Sequence, residues 1–184
     1  TASAGPQPTT GLEKAVHSIS KELVWKVYFE AAQAEERAVD ACASGRAALL
    51  GGEAEQYRDA MLAPARLCYC KSVLACPPNL RWKVWLAGAR LEAHAGKMNR
   101  AKALLSKAFT DVPDKSRPYV YLECSRMEEF EGNLDGARQI LSRARQDVPS
   151  EWKVFLETVM MEARANNWET ALLVAKEALE LHPG

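Results

Sequence analysis

Three histidines, five cysteines and a glutamate that returns at fixed intervals are the side chains of this 184-residue sequence best suited to chemistry. A metal site needs three or four ligands converging on one point. Of His17, His94 and His182, only His17 has a second ligand at helical spacing, Glu13, and that pair reads as a solvated surface pair. The cysteines, Cys42, Cys68, Cys70, Cys76 and Cys124, are odd in number and include no C-x-x-C, so they fit neither a disulfide framework nor a zinc site. They read as free thiols of a reducing compartment. On a helix, Cys68 and Cys70 would point about 200° apart, which favours buried structural thiols over a redox pair. None of the spacings G-x-G-x-x-G, G-x-x-x-x-G-K-[ST] or G-x-S-x-G occurs. Glu92, Glu128 and Glu162 occupy equivalent positions, and catalysis does not need one copy per repeat. They are expected to make a structural ion pair or hydrogen bond, to Lys102, Arg138 or a neighbouring backbone. No catalytic residue, cofactor or metal is expected.

Charge gives a weaker signal. Lys+Arg and Asp+Glu are both 24, so the net charge is zero. That argues against a domain dedicated to nucleic acid but leaves room for a local basic patch. Lys97, Arg100, Lys102 and Lys107 follow one another without an intervening acid, and Arg138 and Arg143 sit in the equivalent stretch further on. Glu123, Glu128, Glu129 and Glu131 make the segment between them acidic. The cations form either a basic edge for RNA or an acidic partner, or an ordinary solvated face. No apolar run approaches the roughly 20 residues that cross a membrane, so no membrane partner is expected. Absence of an Asn-x-Ser/Thr acceptor points weakly to an intracellular protein. Residues 1–20 read as an N-terminal tail and lead-in, with small residues and proline over Thr1 to Thr10, and the chain reads as a fragment of a longer protein.

The elements that position these residues emerge when the sequence is slid along itself. At an offset of 36, Trp85 meets Tyr121, Glu92 meets Glu128, Gly96 meets Gly132, Ala101 meets Ala137 and Pro113 meets Pro149. At a further 34, Tyr121 meets Phe155, Glu128 meets Glu162, Ala137 meets Ala171, and Asn166 takes the glycine position. Asn is the other residue that tolerates a left-handed turn. Upstream, Trp25 matches Trp82 at an offset of 57, while Ala65 matches Ala101 at 36; the difference of 21 marks an insertion at 39–60. The array therefore runs over 21–184, in units of about 21–79, 80–115, 116–150 and 151–184. Gly45, Gly51, Gly52 and many alanines in the insertion suggest a mobile loop with some helix.

Each unit reads as two helices. Trp82, Trp85, Leu86, Ala89 and Ala93 recur at helical spacing, as do Ala101, Leu104, Leu105 and Ala108, with Gly96 between the two sets and Pro113 after them. The alanines allow close helix approach. Trp25, Trp82, Trp85 and Trp152 are expected in the core between units, because stacked hairpins bury their apolar stripes only against neighbours. The fold class is all-α.

The motif Trp-x-x-aromatic, Glu seven residues later, then Ala-Arg/Lys, Ala and Pro resembles the HAT (half-a-tetratricopeptide) repeat. It is carried by Trp82, Trp85, Glu92, Ala101, Lys102, Ala108 and Pro113, and by Tyr121, Glu128, Ala137, Arg138, Ala144 and Pro149. In the last unit it is carried by Trp152, Phe155, Glu162, Ala171, Ala178 and Pro183, with Trp25 marking the split first unit. Pro118 and Leu172 depart from it. The resemblance implies a right-handed α-solenoid of antiparallel helix pairs. It further implies a non-catalytic protein-interaction scaffold of RNA processing, nuclear, with protein partners and dimerisation through the array in several members. Direct binding of single-stranded RNA, or a tetratricopeptide-like adaptor unrelated to RNA, are the alternatives. Such arrays line their concave surface with first helices, which nominates Lys26, Lys83, Arg90, Arg126 and Lys153 as partner-binding side chains.

Overall fold

The computed structural model describes residues 11–50 and 54–181, with side chains described outside 43–56. Among them ten α-helices follow in order: α1 (Gly11–Ser18), α2 (Val24–Leu50), α3 (Ala54–Met61), α4 (Ala63–Ala75), α5 (Arg81–His94), α6 (Met98–Asp111), α7 (Arg117–Phe130), α8 (Leu134–Asp147), α9 (Trp152–Arg164) and α10 (Trp168–Leu181). The described residues contain no strand. They belong to two compact units, 1–111 and 112–184.

Helices pair as hairpins because of what stands between them. Gly96, Gly132 and Asn166 hold the left-handed conformation, with φ of 72°, 80° and 58°. After α5, the Lys97 N–H donates to the Glu92 carbonyl at 2.8 Å and the Gly96 N–H to Ala93 at 3.0 Å. Asn133 to Glu128 and Gly132 to Glu129 repeat this after α7, both at 2.9 Å. Asn167 to Glu162, at 2.8 Å, and Asn166 to Ala163, at 3.0 Å, repeat it after α9. This bond pair is the Schellman motif, which satisfies orphan carbonyls at a helix end and needs one left-handed residue. Between hairpins, Pro77 and Pro113 stop α4 and α6, since proline lacks the N–H and clashes with the preceding turn. Their carbonyls accept from the N–H groups of Leu80 at 3.0 Å and Ser116 at 2.8 Å, closing short 3₁₀ turns that lead into α5 and α7.

In the first unit α2 pairs with α4 and α5 with α6. Trp25, Ala32 and Val39 recur every seven residues on one face of α2 and pack with Ala65, Cys68 and Tyr69 of α4 and Val84, Ala87 and Leu91 of α5. Trp25, Phe29 and Tyr69 meet edge to face, with centroids 6.3 and 5.8 Å apart. The described part of the insertion is helical, in keeping with the helix expected beside its loop. α2 runs unbroken through Gly45, since one helical glycine costs only about 1 kcal/mol. Gly51 and Gly52 lie outside the described residues, as do Thr1 to Thr10 of the tail. Arg58 of α3 donates to Asp40 at 2.8 Å and to the His94 carbonyl at 3.1 Å, tying the insertion to both α2 and α5.

In the second unit α7 pairs with α8 and α9 with α10. Tyr121, Leu122, Ala137, Leu141, Ala144, Val154 and Met161 form its core. The repeated alanines are closed to solvent, Ala101 and Ala137 fully and Ala171 nearly so. The tryptophans divide. Trp25 and Trp82 are buried and Trp85 half-buried, but Trp152 is 52% exposed, which corrects its place in the core. Trp152, Leu156 and Met160 lie on one face of α9, and all three are exposed. The equivalent Pro118 and Leu122 of α7 are buried.

Candidate interaction surface

The recurring glutamate has two duties. It stands third from the end of the first helix, so its carbonyl receives the Schellman bond, and the carboxylates of Glu92 and Glu162 also reach back to the preceding hairpin of their own unit. Arg66 of α4 donates to Glu92 of α5 through Nε at 2.6 Å and Nη2 at 3.0 Å. Arg138 of α8 donates to Glu162 of α9 through Nε at 2.9 Å and Nη2 at 3.0 Å. These bidentate forks match guanidinium to carboxylate geometry and fix the register of one hairpin on the next. Glu92 and Glu162 are buried, where an unpaired carboxylate would be costly. Arg138 holds the Glu162 carboxyl below its ordinary range, against the opposing effect of burial. Arg66 also binds Asp59 of the insertion, through Nη2 to Oδ1 at 2.7 Å and Nη1 to the backbone carbonyl at 2.9 Å, and holds that carboxyl low. Asn167 Nδ2 donates to Glu162 at 3.1 Å, and Asn133 Nδ2 to Glu128 at 2.6 Å. Asn133 Oδ1 accepts the Gly136 N–H at 3.1 Å and so caps α8. Lys102 occupies the register position of Arg66 and Arg138.

The first-helix cations are placed as follows. Lys26 and Lys83 are exposed, each ammonium over the ring of its own tryptophan, at 5.8 and 5.6 Å. Lys153 lies 5.9 Å from the Trp152 ring and 5.1 Å from that of Tyr119, whose hydroxyl accepts from Nζ at 3.3 Å. Lysine over aromatic keeps the charge outward while its stem covers apolar surface. Arg90 is exposed on α5. Arg126 is committed to a four-residue network that sequence reading missed. Arg126 donates to Glu157 through Nε at 3.1 Å and also through Nη2; Arg164 donates to Glu129 at 2.7 and 2.8 Å and to Glu157 at 3.0 Å. Burial raises the Glu157 pKa, but the two arginines outweigh it and hold the carboxyl low.

Ion pairs also occupy the second-helix cations. Arg138 has Glu162 and Asp135, and Arg143 approaches Asp147 at 3.5 Å. Arg100 is 64% exposed and approaches Glu92 at only 3.8 Å. Lys107 is exposed, Lys97 and Lys102 half-buried. Among the thiols, Cys68 and Cys76 are buried, with burial pushing both up, and Cys124 is pushed up to about 11 by burial, next to Glu123 and Glu128. Cys70 is exposed, which corrects its reading as a buried thiol. His17 and His94 are exposed, and His182 lies outside the described residues. No group of three or more potential metal ligands occurs among the described residues, and no described helix is long and apolar enough to cross a membrane.

Helix hairpins closed by a left-handed residue, punctuated by proline and, inside each unit, riveted arginine to glutamate from one hairpin to the next, define a tetratricopeptide-like helical repeat protein. The family model described as PRP6, TPR-like domain matches residues 6–184, and the chain belongs to that family. A TPR-containing protein of Dictyostelium discoideum is 43% identical over 173 residues, which is 94% of this chain and 12% of the relative's length. The chain thus spans a small part of that relative. No solved structure matches significantly.

Proposed function

We propose that the chain is a non-catalytic scaffold that binds other proteins within a nuclear RNA-processing or ribonucleoprotein assembly. The observation that carries this reading is the repeated Arg–Glu rivet. The buried carboxylates of Glu92 and Glu162 are spent on register and turn, and what varies from hairpin to hairpin lies outside them. Tetratricopeptide-like families are generally non-catalytic scaffolds, and the PRP6 description points to splicing. The four units of about 21–79, 80–115, 116–150 and 151–184 stack in this reading as a right-handed superhelix. Lys26, Lys83, Arg90 and Lys153 then face an extended acidic or amphipathic partner along the first helices, with Arg126 held in place by Glu157. Self-association through the array belongs to the same proposal.

The test is affinity capture from nuclear extract with the 184-residue chain, before and after ribonuclease, beside a Lys26→Glu/Lys83→Glu/Lys153→Glu variant. Ribonucleoprotein proteins retained after ribonuclease and lost with the triple variant are the expected outcome. Recovery of membrane or cytoskeletal proteins alone would move the chain to the adaptor class.

Direct binding of single-stranded RNA is the second reading, favoured by one observation: the sole acid of α6, Asp111, is engaged by the Trp85 indole, and that helix carries Arg100, Lys102 and Lys107 with no other acid in its own sequence. It requires affinity that falls steeply with salt and is lost on Lys97→Glu/Arg100→Glu/Lys102→Glu.

A further inference from the structure

In the first unit, α4 and α6 both lean on α5 and leave a groove of about 570 Å³ between them. Val73 and Leu74 of α4 form one wall and Ala103 and Leu104 of α6 the other, with Trp85 and Gly88 of α5 in the floor. Leu74 is 83% exposed there. Gly88 has no backbone need for glycine: it sits mid-helix, and a Cβ on it would meet only Leu104 Cδ1, at 3.5 Å. A glycine that the backbone does not require, in the floor of an open groove, lets another chain approach closely.

The matching place in the second unit is spanned. There the Arg145 guanidinium lies 5.9 Å from the Phe155 ring and donates to Glu177 at 3.3 Å, a strut from α8 across α9 to α10. In register, Arg145 corresponds to Val73, Phe155 to Trp85 and Glu177 to Lys107, so the first unit has no such strut.

We propose that this groove receives one amphipathic, acidic α-helix of a partner protein, a reading that rests on the scaffold function above. Its lining is almost wholly carbon, with the Arg66–Glu92 fork and Arg100 confined to one end. An extended peptide would leave backbone N–H and C=O groups unsatisfied over that surface, whereas a helix satisfies its own. The same lining is a poor bed for RNA, since phosphate would lie on Val73 and Leu74. Two flanking helices over a third make a slot for a fourth at ordinary helix spacing, and a partner of about 13 residues would run roughly 20 Å, the length of α4. Charge sets the sign of the partner. Arg66 in the lining is forked to Glu92, while Arg100 beside it is 64% exposed, and α6 continues with Lys102 and Lys107 against the single acid Asp111, which is bonded to Trp85.

The test uses a 14-residue peptide with leucines along one face, glutamates on its flanks and a hydrocarbon staple on its outer side, since short helices are marginal in water. A twin carries lysine for glutamate. Each is titrated into the 184-residue chain while the methyl resonances of Val73, Leu74, Val84 and Leu104 are followed. The acidic peptide is expected to shift them saturably, and the basic twin to bind at least tenfold more weakly. Leu74→Glu is expected to weaken the acidic peptide at least tenfold with an unchanged circular dichroism spectrum, as befits an exposed side chain. Unmoved groove methyls at millimolar peptide overturn the proposal, as does equal binding of both twins or stronger shifts of the same methyls by a decauridylate RNA. Capture of nuclear proteins that persists unchanged in Leu74→Glu, with no peptide binding, overturns the groove and leaves the scaffold reading standing.

Discussion

The Tyr121 hydroxyl donates to the Asp147 carboxylate across the α7–α8 hairpin, and the Trp85 indole N–H makes the same bond to Asp111, at 2.8 Å, across α5–α6. Both pairs lie 26 residues apart. In the last hairpin the two positions are Phe155 and Leu181, so donor and acceptor are absent together. The coupling follows from the cost of a donor left facing carbon, which exceeds the net gain of a satisfied one. Asp111→Leu is therefore expected to destabilise the chain by about 1–3 kcal/mol, and Trp85→Phe in the same molecule to return a good part of that. Urea unfolding of the two single variants and the double gives the coupling energy, expected near 1 kcal/mol. Strict additivity would show that the bond does not couple the helices.

The three left-handed turn residues permit a graded test. A Cβ on Gly132 meets nothing within 4 Å, so the penalty of Gly132→Ala is backbone alone, about 1–2 kcal/mol. Gly132→Asn should cost less, because Asn166 already serves at the equivalent position with φ of 58°. Thermal midpoints should rank wild type, Asn variant, Ala variant in falling order; an alanine variant as stable as wild type would mean that the turn is not under this constraint.

The repeat itself was legible because it is written twice over, in fixed offsets and in punctuation: Gly96, Gly132 and Asn166 all turn as their types require. Burial was less legible where it depends on a neighbour. Trp82 and Trp152 share a motif, yet one is buried and the other half exposed, since a motif specifies a face and not what covers it. The rivets were half hidden for a related reason. Arg138 was a named partner for the glutamates, but Arg66 and Glu92 lie 26 residues apart and Arg138 and Glu162 only 24, so no single spacing reveals the bond. Of the Arg126–Glu157–Arg164–Glu129 network, Arg126 and Glu157 recur in register as Arg90 and Glu123, but Glu129 aligns with Ala93 and Arg164 with Phe130, so half of it leaves no repeat signal in the sequence.

The Arg66–Glu92 fork should not tolerate conservative replacement. Arg66→Lys keeps the charge but loses the two-pronged donor, and it releases Asp59 as well. Glu92→Gln keeps the shape and loses the charge, leaving a guanidinium that is 22% exposed without its main counter-ion. Each is expected to cost about 1.5–3 kcal/mol, the range for hydrogen bonds to charged groups. Denaturation midpoints check this, and values within 0.5 kcal/mol of wild type (about the effect of ordinary surface substitutions) would demote the fork to a surface ion pair.

Acid should act through the same bonds. Arg138 holds Glu162 below its ordinary value of 4.5, and Arg66 and Tyr121 hold Asp59 and Asp147 below 3.8. A folded pKa below the unfolded one means that the unfolded chain binds the proton more readily, so this stability is complete above the ordinary carboxylate range and drains as pH falls through the lower folded values. The thermal midpoint is expected to be insensitive to these groups above about pH 5 and to fall below about pH 4. Glu162→Gln should start lower and lose less on acidification; an acid slope identical to wild type would remove Glu162 from the account.

Thiol reactivity separates the cysteines by burial. Cys42 and Cys70 are exposed, so a thiol-disulfide reagent at pH 8 should modify them in the folded chain. Cys68 and Cys76 are buried with their thiols pushed up, and Cys124 is pushed up to about 11, so very little thiolate forms at that pH. Two equivalents are therefore expected to react quickly and three only on unfolding. The bound acidic helix proposed for the groove would lie over Cys70 and spare Cys42. Saturating acidic peptide should then slow one of the two fast thiols, and mass mapping should identify it as Cys70; equal protection of Cys42 would place the peptide elsewhere.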